Sequence, residues 1–193
     1  QPIVEGPANA VWKERLDGWL RNTPNVYLRE YYWCGCIFFP RPMADTAALD
    51  LRFCRAQGMR EFYTECTRCD DDKVCEAFGV DRPNREFYDM NAMEVWVMER
   101  LLWDPSQDPA ALRREFLRRT FGPAAEDVGA FYAVVHRAWY SDGLPASFCD
   151  HPARCAAHYI VKKGVAGECD AALARAEAKA DNDARREWIV AMR

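Results

Sequence analysis

The chain has 193 residues, 50% of them hydrophobic and 13% aromatic, with a formal net charge of −4. That composition supports a sizeable core and excludes general disorder. It supplies no overall basic field to recruit nucleic acid, and no run reaches the ~18 consecutive apolar residues that a membrane span needs.

The first residues, Gln1-Pro-Ile-Val-Glu-Gly-Pro7, carry no initiating Met, basic segment or apolar leader core, so the chain is expected to begin either after processing or, the favoured reading, within a longer protein. Ala8–Arg21 follows as a helix with Val11, Trp12, Leu16, Trp19 and Leu20 in a stripe, closed by Asn22-Thr-Pro24. Asn25–Trp33 is rich in strand formers. Pro40 and Pro42 then impose extended backbone. Asp45 or Thr46 is expected to cap a helix reaching about Gln57, with Ala48, Leu51 and Cys54 on one face and Gly58 as its stop. Met59–Thr64 is a second strand that delivers Glu65 at its end. Strand, loop, helix, glycine, strand is the order of a βαβ unit, which implies a parallel pair.

Residues 66–83 read as a polar loop around Asp70-Asp-Asp72. Glu86–Pro105 reads as one helix, capped by Asn84 and ended by Asp104-Pro105. Its apolar residues cover most of the circumference, so burial on all sides is expected, with Glu94 pointing into that surface. A buried carboxylate there calls for an arginine, either Arg100 or one from another element. Ser106 or Asp108 caps the next helix, Pro109–Thr120, whose run Arg113, Arg114, Arg118 and Arg119 reads as a solvated face. Gly122-Pro-Ala restarts a helix through Tyr140, Ser141–Pro145 is a turn, and two or three helices follow over about 150–192. The Ala-rich 171–180 run is a good helix former with little core-building power.

The nine cysteines fall in two groups, Cys34, Cys36, Cys54, Cys66, Cys69 and Cys75, then Cys149, Cys155 and Cys169. Such crowding suits an oxidising compartment, periplasmic or secreted, while a cytosolic enzyme with buried thiols is the alternative. Cys66-x-x-Cys69 with Cys75 is a weak metal or redox constellation, because a zinc site wants two short-spaced pairs and only one is present. Cys149, His151 and Cys155 complete it only if the fold brings them near. His136, His151 and His158 read as structural histidines. No phosphate-binding glycine loop, Gly-x-Ser-x-Gly or His-Glu-x-x-His occurs, and no cofactor is implied.

Three phrases, Val26-Tyr-Leu-Arg-Glu-Tyr-Tyr-Trp33, Phe39-Pro-Arg-Pro42 and Gly58-Met-Arg-Glu-Phe-Tyr-Thr-Glu65, together resemble the last barrel strands of DUF4838 proteins. Arg100-Leu-Leu-Trp-Asp-Pro105, Glu115-Phe116 and Phe121-Gly-Pro-Ala-Ala125 resemble the helical region that follows, where the family phrase is of the Arg-Leu-Ala-Trp-Asn-Pro type. The resemblance covers roughly residues 25–140. It implies a domain of bacterial carbohydrate-active proteins, distantly similar to family 67 α-glucuronidases. The fold expected is α-rich α/β: residues 1–82 the end of a (β/α)₈-type barrel and residues 83–193 a helical bundle. Related sequences usually carry Asn where this chain has Glu94.

In such barrels the active site lies at the C-terminal ends of the strands. Glu30-Tyr31 resembles the Glu-Tyr pair that places a general base there, and Glu65 ends the next strand. Glycoside hydrolysis needs two carboxyl groups, one protonated and one ionised. Glu30 and Glu65 are therefore the catalytic candidates, with Tyr31, Tyr32, Trp33 and Tyr63 as sugar-facing rings. The expected partners are a carbohydrate and the missing upstream part of the same protein, without which these residues hold one side of a cleft and no complete active site. Two other readings stand beside this one: a non-catalytic helical carbohydrate-binding or protein-interaction module, and a cysteine-based metal or redox module.

Overall fold

A computed structural model of the protein describes residues 5–33, 39–66, 85–141 and 152–193. Most of these residues are helical. A 3₁₀ turn at Pro7–Asn9 leads into helix α1 (Ala10–Asn22), strand β1 (Leu28–Trp33), helix α2 (Ala44–Ala56) and strand β2 (Phe62–Cys66). The two strands pair in parallel, with Leu28 beside Phe62, Arg29 beside Tyr63 and Glu30 beside Thr64, and an irregularity between Glu30 and Trp33. The expected βαβ unit is present. Gly58 ends α2 in the left-handed region at φ 78°, and Met59 N–H closes the turn by donating to the Cys54 carbonyl at 3.0 Å.

The N-terminus of α2 is capped differently from expectation. The helix begins at Ala44 with no side-chain cap from its own segment. Its first amide donates instead to Glu94 Oε2 at 3.0 Å, a carboxylate from the next helix. Asp45 lies inside the first turn and Thr46 contacts the Tyr140 hydroxyl at 3.3 Å.

Helix α3 (Arg85–Trp103) ends at the predicted Asp-Pro stop. It is amphipathic, not buried all round. Met93, Val97, Met98 and Leu101 lie at helical spacing in the core, whereas Trp103 is 90% exposed and Leu102 is exposed beside it. Helix α4 (Pro109–Phe121) is N-capped by Asp108, which accepts from Ala110 N–H and Ala111 N–H. Arg114, Arg118 and Arg119 of its basic run are solvated. Arg113 is not. Its side chain is 16% exposed, and its Nε donates to Glu94 Oε1 at 2.6 Å. Arg100, the other candidate partner of Glu94, lies over the Trp96 ring at 5.7 Å.

A 3₁₀ turn at Gly122–Ala124 leads into α5 (Ala125–Tyr140), followed by α6 (Pro152–Ala156) running into a π turn at Ala157–Lys162, α7 (Ala166–Lys179) and α8 (Asp183–Met192). The main core joins Val128, Phe131, Val135 and Trp139 of α5 to Cys169, Ala172, Leu173 and Ala176 of α7. This helix pair has the most extensive contact in the molecule. The Ala-rich run does build core: its small side chains let the two backbones approach closely, so it contributes through proximity where bulk is lacking. Phe39 reaches the same core and lies 5.9 Å from the rings of both Trp139 and Tyr159. A second core cluster ties Tyr32 and α2 to Val97, Met98, Leu101 and Leu112.

Arg113 also forms a bidentate contact with Asp45, through Nη1 at 3.1 Å and Nη2 at 2.9 Å. Asp45 Oδ2 lies 2.9 Å from His136 Nε2 on α5. Removing Arg113 leaves a buried Glu94 carboxylate without its cation, a class of change that costs about 3–5 kcal/mol. Urea denaturation of Arg113→Ala is expected to show a loss of that size. Arg113→Lys is expected to recover only part of it, because an ammonium cannot keep both forked contacts.

Candidate functional site

Strand alternation and the β1–β2 register divide the predicted site residues between two faces of the sheet. Leu28, Glu30 and Tyr32 share the face covered by α2. Arg29 and Tyr31 share the other with Tyr63. Glu30 is half-buried, and its carboxyl is raised above the ordinary range by burial and then by the nearby charge of Asp50. Asp50 is 3% exposed and accepts a 2.6 Å hydrogen bond from the Tyr32 hydroxyl. Burial, followed by the charges of Asp50 and Glu30, pushes the Cys54 thiol up to about 12, so it is an inert packing group at neutral pH.

Tyr32 is consequently a core residue and not a sugar-facing ring. It is 4% exposed and its ring stacks on Phe62 at 6.2 Å. On the opposite face the Arg29 guanidinium lies over two rings, Tyr31 at 4.7 Å and Tyr63 at 5.2 Å. Tyr63 is 50% exposed there. Glu30 and Tyr63 thus do not line a common surface. Trp33, Glu65 and Cys66 hold their places in the strands, and their side chains lie outside the described residues, as do Cys69, Cys75, Asp70–Asp72, Cys149 and His151.

Sequence reasoning passed over Asp50 and Arg29. Asp50 had a signal, since it interrupts the apolar face of α2 between Ala47 and Leu51 and such a residue needs a buried partner. Arg29 had none beyond its place two residues before Tyr31. Among the described histidines, His136 contacts Asp45, and His158 is half-buried with its ring 4.7 Å from that of Tyr159. Burial opposes the Asp45 charge, but the hydrogen bonds from His136 and Arg113 outweigh it and hold that carboxyl down at about 2. Among the described residues no group of His, Cys, Asp and Glu is arranged to hold a metal ion, and no helix is long and apolar enough to cross a membrane.

A family model described as "Domain of unknown function (DUF4838)" matches residues 1–133. The chain belongs to the DUF4838 family. No curated protein and no solved structure matches it. The family match spans the βαβ unit, α3, α4 and the first half of α5, so this DUF4838 domain includes every residue of the Glu94–Arg113–Asp45 contact.

The raised Glu30 carboxyl gives this DUF4838 chain a pH signature. In the folded state Glu30 keeps its proton to higher pH than in the unfolded chain. The unfolded state therefore binds fewer protons as pH rises from about 4.5, the ordinary value, through the folded value, and stability falls across that window. Glu30→Gln cannot ionise. Thermal melts are expected to show the variant gaining on the wild type as pH rises above about 4.5, with the two converging below it.

Proposed function

We propose that this chain forms one side of a carbohydrate-binding cleft in a glycoside-hydrolase-like protein, with its helices as a trailing supporting domain. The cleft is assigned to the C-terminal ends of β1 and β2, where Glu30 and Glu65 are the candidate carboxyl groups and Tyr31 and Trp33 the flanking rings. The observation that carries the reading is the environment of Glu30. A half-buried carboxyl beside the buried Asp50 takes up a proton more readily than a free one, as a general base that draws a proton from water must. In this reading Glu30 is the general base that activates water, and a protonated carboxyl across the scissile bond donates to the departing sugar oxygen.

The rest of the cleft is assigned to further parallel strands of the same protein. Parallel strands occur in larger sheets covered on both faces, and among the described residues this sheet has the two strands β1 and β2. Two strands alone also make a marginal sheet. The likeness of Glu30-Tyr31 and Arg100–Pro105 to family 67 α-glucuronidase phrases supports the same assignment at the level of the family, though fold likeness alone never establishes chemistry.

A second reading, non-catalytic carbohydrate binding, is favoured by the separation of Glu30 and Tyr63 onto opposite faces of the sheet. The two separate in one experiment on the full-length protein with aryl glycosides. The catalytic reading expects Glu30→Gln and Glu65→Gln each to lower kcat by about 10²-fold or more, with unchanged far-UV circular dichroism. Full activity in both variants contradicts it. Saturable oligosaccharide binding without hydrolysis by the unsubstituted protein establishes the second reading.

A further inference from the structure

An open cleft of about 1260 Å³ lies beside the first residues of the two strands. Its walls come from Tyr27 and Arg29 beside β1, residues 59–63 leading into β2, the last turns of α2, and the α3–α4 turn. Glu30 is not among its lining residues, and Tyr27, Trp103 and the α3–α4 turn that line it take no part in the site proposed above.

Three aromatic rings stand in it uncovered: Trp103 at 90% exposure, Tyr27 at 62% and Tyr63 at 50%. Exposing an indole this fully forgoes a large burial gain. The turn that presents Trp103 is nevertheless tightly built. Arg52 of α2 donates to the Pro105 carbonyl at 2.8 Å and the Gln107 carbonyl at 3.0 Å. Asp104 accepts from both the amide and the hydroxyl of Ser106, and Gln107 Nε2 donates to the Arg100 carbonyl at 2.9 Å. Across the cleft, Arg29 holds the Tyr63 ring. The rings are thus presented from ordered backbone, which lowers the entropic cost of binding.

Lining the same cleft are charged groups of both signs, Arg29, Arg55 and Arg60 with Glu61 and Asp104, of which Arg55 and Asp104 form an ion pair at 3.6 Å. This mixture decides the class of ligand. A nucleic acid calls for an excess of cations, and the cleft's three arginines face two carboxylates in a chain of net charge −4. An amphipathic peptide helix calls for a continuous apolar groove. A pyranose chain presents apolar C–H faces to aromatic rings and a rim of hydroxyls that both donate and accept. We propose that this cleft is a second, non-catalytic carbohydrate-binding site, with Trp103 and Tyr63 as its stacking platforms and the charged side chains around them as its hydroxyl partners.

The test is titration of the full chain with cellohexaose, xylohexaose and chitohexaose, read by tryptophan fluorescence and calorimetry. Trp103→Ala, Tyr63→Ala, Glu30→Gln and Trp19→Ala are titrated in parallel, the last removing an exposed indole on α1. Saturable binding of at least one hexasaccharide is expected, weakened tenfold or more by Trp103→Ala and Tyr63→Ala and unchanged by Trp19→Ala. Absence of saturable binding by all three sugars overturns the proposal. So does binding that Glu30→Gln abolishes and Trp103→Ala leaves intact, which places the sugar at the site proposed above. A fall of several degrees in the Tm of the full-length protein on Trp103→Ala also overturns it, because the ring is then buried against protein.

Discussion

A carboxylate on the inner face of α3 has to be neutralised and hydrogen-bonded without water, and the way Glu94 meets that demand organises the elements around it. Its Oε1 accepts from Arg113 Nε at 2.6 Å, and its Oε2 accepts from both Arg113 Nη2 and the Ala44 amide at 3.0 Å. The same guanidinium grips Asp45, and Asp45 contacts His136. Helices α2, α3, α4 and α5 therefore converge on one charge-assisted network. Buried ion pairs add little net stability compared with apolar packing, because both charges must be desolvated. What this one supplies is geometry, since the planar fork of Arg113 accepts only one arrangement of the two carboxylates. It also satisfies an amide at the start of α2 that its own segment leaves without a side-chain cap.

Placement of α2 in turn bears on both of the proposed sites. Asp50, near its middle, meets the Tyr32 hydroxyl beneath β1 and adds to the burial that raises the Glu30 carboxyl. Arg52, two residues on, secures the turn that presents Trp103. A small rotation of α2 would disturb both the surroundings of Glu30 and the turn that carries Trp103. The helical bundle serves the sheet in this sense, through α3 and α4, although its own largest core lies elsewhere, between α5 and α7.

Elements with local punctuation were legible in the sequence. Gly58 marked the end of α2, Asp104-Pro105 the end of α3 and Asp108 the start of α4, each through a backbone requirement that few residues meet. The parallel βαβ unit followed from their order. Features set by distant partners were not legible. Arg113 reads as one more member of a solvated basic run, because its partners lie 19 and 68 residues away. Tyr32 could be placed on a strand face, but alternation does not say which face a helix covers. Leu102 fell within an apolar pattern that predicted burial on every side, and only the position of the neighbouring elements leaves it exposed. Small side chains concealed the weight of α7 in the core, since hydrophobicity summed along a sequence undervalues close backbone approach.

Glu94 and Arg113 act as one unit that fixes α2 against α3 and α4, and every other placement described above depends on that unit. A double-mutant cycle with Glu94→Gln, Arg113→Met and the pair, measured by chemical denaturation, tests it directly. The predicted coupling energy is about 2 kcal/mol or more, with the double variant far less destabilised than the sum of the singles. A coupling near zero would show that each residue is held independently, and would contradict the central role given to the pair.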